Sequence, residues 1–171
     1  FKNHLTILNV AGIIQLQQAT KLSDRRMSMK DIDGRAIDPK VGEVWIVDLG
    51  VADGHKQAGV RPFVITSNNK RNLFSPTIKG NPMSSRIRKF SPVHVLIKKE
   101  ECKFLDVDSI VLCEETDTLN KAQFIKKIGK LSSDQMDKIA VARCKDEPFL
   151  LAAFLSGIQN TREFQNIASF A

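Results

Sequence analysis

The sequence predicts a mainly β domain, a small barrel or strongly bent sheet, with a helical extension on each side of it. Short β-branched and aromatic runs follow one another closely between residues 43 and 131, and polar turns separate them. Apolar residues at helical spacing occur before and after that region. Short strands in close succession bury one face by curling around a shared core, which favours a barrel or a bent sheet.

The bulk composition is that of a basic globular protein. The chain has 171 residues and a formal net charge of +7, enough length for one ordinary core with extensions. The positive charge favours phosphate backbones or anionic surfaces as partners, although many unrelated proteins share it. Cys102, Cys113 and Cys144 are odd in number and form no CxxC pair, so a reducing compartment and a cytoplasmic location are predicted.

The N-terminal extension is predicted to cover residues 1–39. Ile7, Val10, Ala11 and Ile14 repeat at the spacing of one helix face. The apolar stretch around them is shorter than the roughly 20 residues that span a bilayer, so no membrane partner is expected. Residues 28–40 are rich in Asp, Gly and Pro and indicate a linker.

The main domain is predicted to cover residues 40–144. Strands are expected at residues 43–49, 61–67, 76–83, 91–98, 108–114 and 124–131. Ser132 and Gln135 form a capping-box pattern that predicts the start of a helix. A further helix is expected where apolar residues recur between Phe149 and Ile158, within a C-terminal extension of residues 145–171.

No metal site or other cofactor is predicted. His4, His55 and His94 lie far apart in sequence, and the chain has neither an HxxxH motif nor a Cys/His cluster. The Asp31–Gly34 segment has the start of a calcium loop without its later acidic ligands, so a turn is predicted there.

Two basic and polar stretches follow predicted strands, at residues 68–72 and 84–90. Loops in these places can present cations and hydroxyls to a phosphate chain. On composition alone, a solvated surface loop is the commoner meaning of such a stretch.

An ordered series of short motifs carries a family resemblance. The series is Gly42-Glu43-Val44-Trp45, residues 54–62 (GHKQAGVRP), Ser67-Asn68, residues 74–77 (FSPT), residues 82–85 (PMSS), Val93-His94-Val95, residues 108–112 (DSIVL) and residues 127–131 (KIGKL). In this order and spacing it resembles the MazF/PemK/Kid family of toxin endoribonucleases. The resemblance covers residues 40–144 and leaves both extensions unexplained.

The resemblance implies a small, strongly curved SH3-like β-barrel of the CcdB/PemK toxin type that works as a homodimer. It implies a toxin of a toxin–antitoxin system that cuts single-stranded RNA, including mRNA, at specific sequences without a metal. The products would be a 2′,3′-cyclic phosphate and a 5′-hydroxyl. The implied protein partner is a cognate antitoxin of the MazE/PemI kind, with which such toxins also bind DNA.

Site residues are predicted from the motif positions. Arg61 falls on the family's catalytic arginine and Ser84 on its catalytic threonine. Where many relatives carry an acidic residue, this chain has Lys56, so we take the adjacent His55 as the general base, since histidine titrates near neutral pH. The residues predicted to bind RNA are Lys56, Gln57, Asn68, Ser85, Arg86, Arg88 and Lys89.

Two departures from the family pattern keep an alternative open. Besides Lys56, the chain has Asp117 where the family's Glu-Gln-Ile-Arg-Thr pattern places an arginine. The alternative is a catalytically degenerate member that binds RNA or antitoxin without cleavage, or a gyrase poison resembling CcdB. The Arg61 and Ser84 pair favours the nuclease.

Overall fold

The computed structural model describes residues 37–51, 54–87 and 91–155. The chain divides into two compact units, Phe1–Ile37 and Asp38–Ala171, and the described fold belongs to the second. The helix and linker predicted before residue 37 lie outside the described residues. So does the part of the C-terminal extension beyond residue 155.

The described unit is mainly β. Its strands are β1 (Glu43–Asp48), β2 (Val60–Ile65), β3 (Thr77–Ser84), β4 (His94–Ile97), β5 (Ser109–Leu112), β6 (Asp117–Asn120) and β7 (Phe124–Lys130). Its helices are α1 (Asn69–Phe74), α2 (Ser133–Asp146) and α3 (Pro148–Leu155), and a 3-10 turn occupies Lys121–Gln123. All six predicted strands are present, whereas β6 was not expected from the sequence.

The strands form an antiparallel sheet in the order β4-β5-β3-β2-β1-β7, and β6 pairs with the first half of β3. The hydrogen-bonded path is open, because within the described residues β4 and β7 do not pair with each other. The predicted closure into a barrel is therefore not confirmed, and the described strands form an open sheet. Ile139 and Ala142 of α2 pack in one cluster with Val95 of β4, so a helix covers the core at this end.

Both faces of the sheet are buried because consecutive residues of its central strands, which point to opposite faces, are apolar. Val44 and Val64 lie in the cluster under α2. Their neighbours Trp45 and Phe63 lie on the opposite face, where each ring meets the ring of Phe124 edge-on, with centroids 5.8 and 6.3 Å apart. Register shifts in the β1–β7 pair, between Val44 and Trp45 and again two residues later, bend the sheet around this second group.

The segment at residues 68–72, expected to be a loop, instead contains α1. Asn68 caps this helix by accepting a hydrogen bond from the backbone N–H of Arg71 at 3.0 Å. Asn72 is fully buried and donates to the carbonyl oxygens of Pro39 and Ser67. The polar residues of this segment were interpreted as solvated, but the Asn72 side chain is buried and hydrogen-bonds backbone groups in the interior.

The predicted capping box at the start of α2 is confirmed. Ser132 accepts a hydrogen bond from the backbone N–H of Gln135, and the Gln135 side chain accepts one from the backbone N–H of Ser132. Helix α3 begins at Pro148, as the apolar run predicted. Among the described residues, no helix has the length and apolar content needed to cross a membrane.

Candidate active site

A cavity of about 470 Å³ opens where β2 begins and β3 ends. Its lining residues come from β1, β2, β3, β5, β7 and the turns beside them: Ile46, Gln57, Val60, Arg61, Pro62, Met83, Ser84, Ser85, Arg86, Phe104, Leu105, Asp106, Val107, Ser109 and Ile128. Five of the predicted site residues, Gln57, Arg61, Ser84, Ser85 and Arg86, are therefore brought to one cavity. They come from two stretches that are more than twenty residues apart in sequence.

Arg61 lies at the second position of β2, opposite Val47 of β1. Its Nε donates to the carbonyl oxygen of Ala58 at 2.9 Å, and Nη2 donates to the same oxygen. Its Nη1 donates to the side-chain oxygen of Gln57. The guanidinium is half-buried and held by the turn before β2, which fixes its orientation at the cavity wall.

Glu115 fixes Gln57 by accepting two hydrogen bonds from it. One of its carboxylate oxygens accepts the backbone N–H of Gln57 at 3.1 Å, and the other accepts the side-chain amide at 3.4 Å. With its N–H groups directed to Glu115, the Gln57 amide presents its oxygen to Arg61. A chain of hydrogen bonds therefore runs from Glu115 through Gln57 to Arg61.

Ser84 ends β3 and pairs with Ile110 of β5. It is half-buried, and its hydroxyl oxygen accepts the backbone N–H of Arg86 at 3.2 Å. Its own hydroxyl hydrogen can point elsewhere, because accepting a bond leaves the O–H as a donor. Ser85 and Arg86 are exposed at the rim. The end of β3 therefore brings a hydroxyl and a second cation to the same cavity as Arg61.

The remaining predicted site residues lie elsewhere or outside the described part of the chain. His55 and Lys56 are exposed in the turn before β2 and do not line the cavity. Asn68 caps α1. Arg88 and Lys89 fall in residues 88–90, which are outside the described ranges.

Sequence reasoning missed two contributions to the cavity region. The turn between β4 and β5 supplies Phe104, Leu105, Asp106 and Val107 to the lining, and Glu115 positions Gln57. Neither set has a periodic pattern, and Glu115 is 58 residues from its partner. The apolar content of residues 104–107 was the available signal, but it did not indicate which strands the turn would face.

The charged groups that line the cavity are Arg61, Arg86 and Asp106, so its lining is net positive. The Cys113 thiol lies in the core, where burial, followed by the nearby Glu114 carboxylate, raises its pKa to about 12. That thiol is therefore protonated at neutral pH and is a poor nucleophile. Within the described residues, no group of three or more His, Cys, Asp or Glu side chains is placed to hold a metal ion.

The fold and the cavity define a class: a basic, mainly β protein with an arginine and a hydroxyl at one cavity of net positive lining. A family model described as the PemK-like, MazF-like toxin of type II toxin–antitoxin systems matches residues 40–143. The match spans most of the chain, and the protein belongs to this toxin family.

Solved structures of this family share the fold. An endoribonuclease from mycobacterial species superposes with a TM-score of 0.53 at 22% identity, over 65% of this chain and 92% of that one. A mycobacterial endoribonuclease in complex with its cognate antitoxin gives 0.54 at 24% identity, over 64% and 95%. MazF from Deinococcus radiodurans gives 0.56 at 18% identity, over 63% and 94%.

Proposed function

We propose that this protein is a metal-independent, sequence-specific endoribonuclease that cuts single-stranded RNA, the toxin activity of its family. The observation that carries the proposal is the placement of Arg61 and Ser84 at one cavity, with the guanidinium held by Gln57 and Ala58. In the reaction, the ribose 2′-oxygen attacks the adjacent phosphorus and the bond from phosphorus to the 5′-oxygen breaks. The products are a 2′,3′-cyclic phosphate and a 5′-hydroxyl.

Arg61 stabilises the charge that builds on the phosphorane. A guanidinium can donate to two phosphate oxygens at once, and a donor whose orientation is already fixed needs little rearrangement during the reaction. Two of its present partners are neutral oxygens, of Ala58 and Gln57, so the positive charge is not neutralised by them. Ser84 supplies a hydroxyl donor that keeps the phosphate in line for attack.

Proton transfer is assigned to a residue outside the cavity lining. His55 is proposed to take the proton from the 2′-hydroxyl, and water supplies the proton that the departing 5′-oxygen takes up. His55 lies in the exposed turn beside the cavity rather than in its lining. For this role the His55 side chain has to reach bound RNA while Gln57 and Ala58 keep their hydrogen bonds to Arg61. Gly54 and Gly59 have positive φ angles of 63° and 71° and bracket that turn.

The proposed partners follow from charge and family. A homodimer binds RNA across both subunits. The residues that contact the strand are Gln57, Ser85, Arg86, Lys56, Asn68, Arg88 and Lys89. A small, partly disordered antitoxin blocks the same groove with an acidic segment, which the net charge of +7 favours. The protein acts in the cytoplasm, where mRNA is its substrate.

The test is incubation of a long single-stranded RNA with the purified protein in excess EDTA, followed by mapping of the cut sites. Arg61→Ala should lower the cleavage rate by at least about 100-fold, the scale expected for loss of a preorganised donor. Ser84→Ala and His55→Ala should also slow it. Arg71→Ala is the matched control, since Arg71 is exposed, bonds to Thr77 and lies away from the cavity.

Three outcomes would contradict parts of this proposal. Wild-type cleavage rates in His55→Ala would remove His55 as the base. RNA binding without cleavage by folded, antitoxin-free protein would support the degenerate alternative, for which Asp117 in place of a family arginine is the relevant departure. Inhibition of DNA supercoiling without RNA cleavage would instead identify a gyrase poison.

A further inference from the structure

The cavity has a second wall that the proposed cleavage chemistry does not use. The wall consists of Phe104, Leu105, Asp106 and Val107, from the turn between β4 and β5. We propose that it is a subsite for one nucleobase of the RNA strand and that Asp106 selects bases carrying an amino group. This inference rests on the endoribonuclease function proposed above.

The wall has the apolar surface that a base requires. Together with Ile46 and Ile128 it forms an aliphatic and aromatic lining, and Val107 is 53% exposed. Proteins commonly bind single-stranded RNA with its bases splayed out against such side chains. Every base has a flat face for this contact, so the contact does not depend on the RNA sequence. A phosphate group alone gains no favourable contact from an apolar wall.

The Phe104 ring packs tightly against Gly129 and the hydrophobic core. Gly129 of β7 lies so close that a Cβ atom there would come within 2.1 Å of the Phe104 ring. The ring also packs against the core cluster under α2 while remaining partly exposed at the cavity. A ring that is already fixed loses little conformational freedom when a base packs on it.

The size of the cavity fits more than a phosphate. At about 470 Å³ it lies within the range of roughly 300–1,000 Å³ typical of small-molecule sites. Its lining combines the polar groups of Arg61, Ser84 and Arg86 with the apolar side chains of Phe104 and Val107. This combination matches a nucleotide, which has an anionic phosphate and a flat, largely apolar base.

Asp106 gives the wall its selectivity. It contributes the one carboxylate in the cavity lining, and it forms no hydrogen bond or ion pair with any residue that the structure describes. A carboxylate only accepts hydrogen bonds, so it favours the amino groups of cytosine, adenine and guanine. Uracil has no amino group, and its ring N–H stands between two carbonyl oxygens that the carboxylate repels.

The experiment is an NMR titration of the whole protein with the four nucleoside 3′-monophosphates and with inorganic phosphate. The adenosine, cytidine and guanosine compounds should each bind at least about fivefold more tightly than the uridine compound. Asp106→Asn should bring all four within about twofold, because an amide both donates and accepts. Phe104→Leu, which keeps apolar bulk against Gly129, should weaken all four nucleotides about threefold and leave phosphate binding unchanged.

Two controls separate this subsite from the phosphate site. Asp137→Asn makes the same charge change on α2, beside a different cavity, and should leave every affinity unchanged. Arg61→Ala should weaken the nucleotides and phosphate alike. Equal wild-type affinity for all four bases, or an unchanged preference in Asp106→Asn, would overturn the subsite. A preserved preference with no dependence on Arg61 would support the subsite and overturn the phosphate site on which the proposed function depends.

Discussion

Gln57 lies between a carboxylate and the predicted catalytic arginine, and its motif position gave no indication of that role. Its amide N–H groups face Glu115 and its amide oxygen faces Arg61. The motif placed Gln57 among the RNA-binding residues, which remains a prediction. The structure adds that Gln57 orients a neighbouring cation.

Removal of the Glu115 carboxylate should loosen this arrangement. We expect Glu115→Ala to lower kcat for RNA cleavage by up to about 30-fold, because two hydrogen bonds to Gln57 are lost at a partly exposed site, where each contributes roughly 1 kcal/mol. KM should change less, since the guanidinium keeps its charge. Glu114→Ala is the control, as Glu114 pairs with His94 outside the cavity. An unchanged kcat in Glu115→Ala would show that Gln57 needs no such support.

Other motif residues proved to have structural roles that the sequence did not reveal. The carboxylate of Glu43 is buried and accepts hydrogen bonds from the Trp45 indole, the Lys40 backbone and the Lys127 ammonium group. Motif membership alone therefore does not separate residues that shape the domain from residues at the cavity. Distances and burial were needed for that distinction.

At the scale of elements, helix α1 shows where the sequence was misleading. Its residues are strongly polar, and polar runs between strands usually form solvated loops. Asn72 nevertheless accepts the Ser67 hydroxyl at 2.5 Å and donates to two backbone carbonyl groups, including that of Pro39, which is 33 residues away. The strands and the α2 cap were predictable because alternation and capping are local patterns. The partners of Asn72 are set by the tertiary fold.

Asn72→Ala should therefore destabilise the domain. We expect the free energy of unfolding to fall by about 3 kcal/mol, because the carbonyl oxygens of Pro39 and Ser67 would be left in the interior with fewer donors. Urea denaturation measures this change. Asn69→Ala, which removes an exposed hydrogen bond to the Val41 backbone, should cost less than about 1 kcal/mol. Equal effects of the two substitutions would contradict an interior role for Asn72.

At the scale of the molecule, the fold class was predictable and the closure of the sheet was not. The sequence predicted that the strands bury one face around a shared core, whereas consecutive apolar residues such as Val44 and Trp45 are buried on both faces of the sheet. Whether β4 reaches β7 depends on strand length and on the placement of α2, which local patterns do not encode. The cavity likewise combines five separate stretches of the chain. Only two of them contained residues that the sequence had predicted for the site.

The most direct test of the central claim compares two oligoribonucleotides that contain a mapped cut site. They differ by one atom, the 2′-oxygen of the ribose on the 5′ side of the cut, and product ends are identified by mass spectrometry in excess EDTA. We predict that the full ribose substrate is cut to a 2′,3′-cyclic phosphate and a 5′-hydroxyl, while the deoxy substrate is cut at least about 100-fold more slowly. Equal cutting of both substrates, or a product with a 5′-phosphate, would contradict attack by the 2′-hydroxyl.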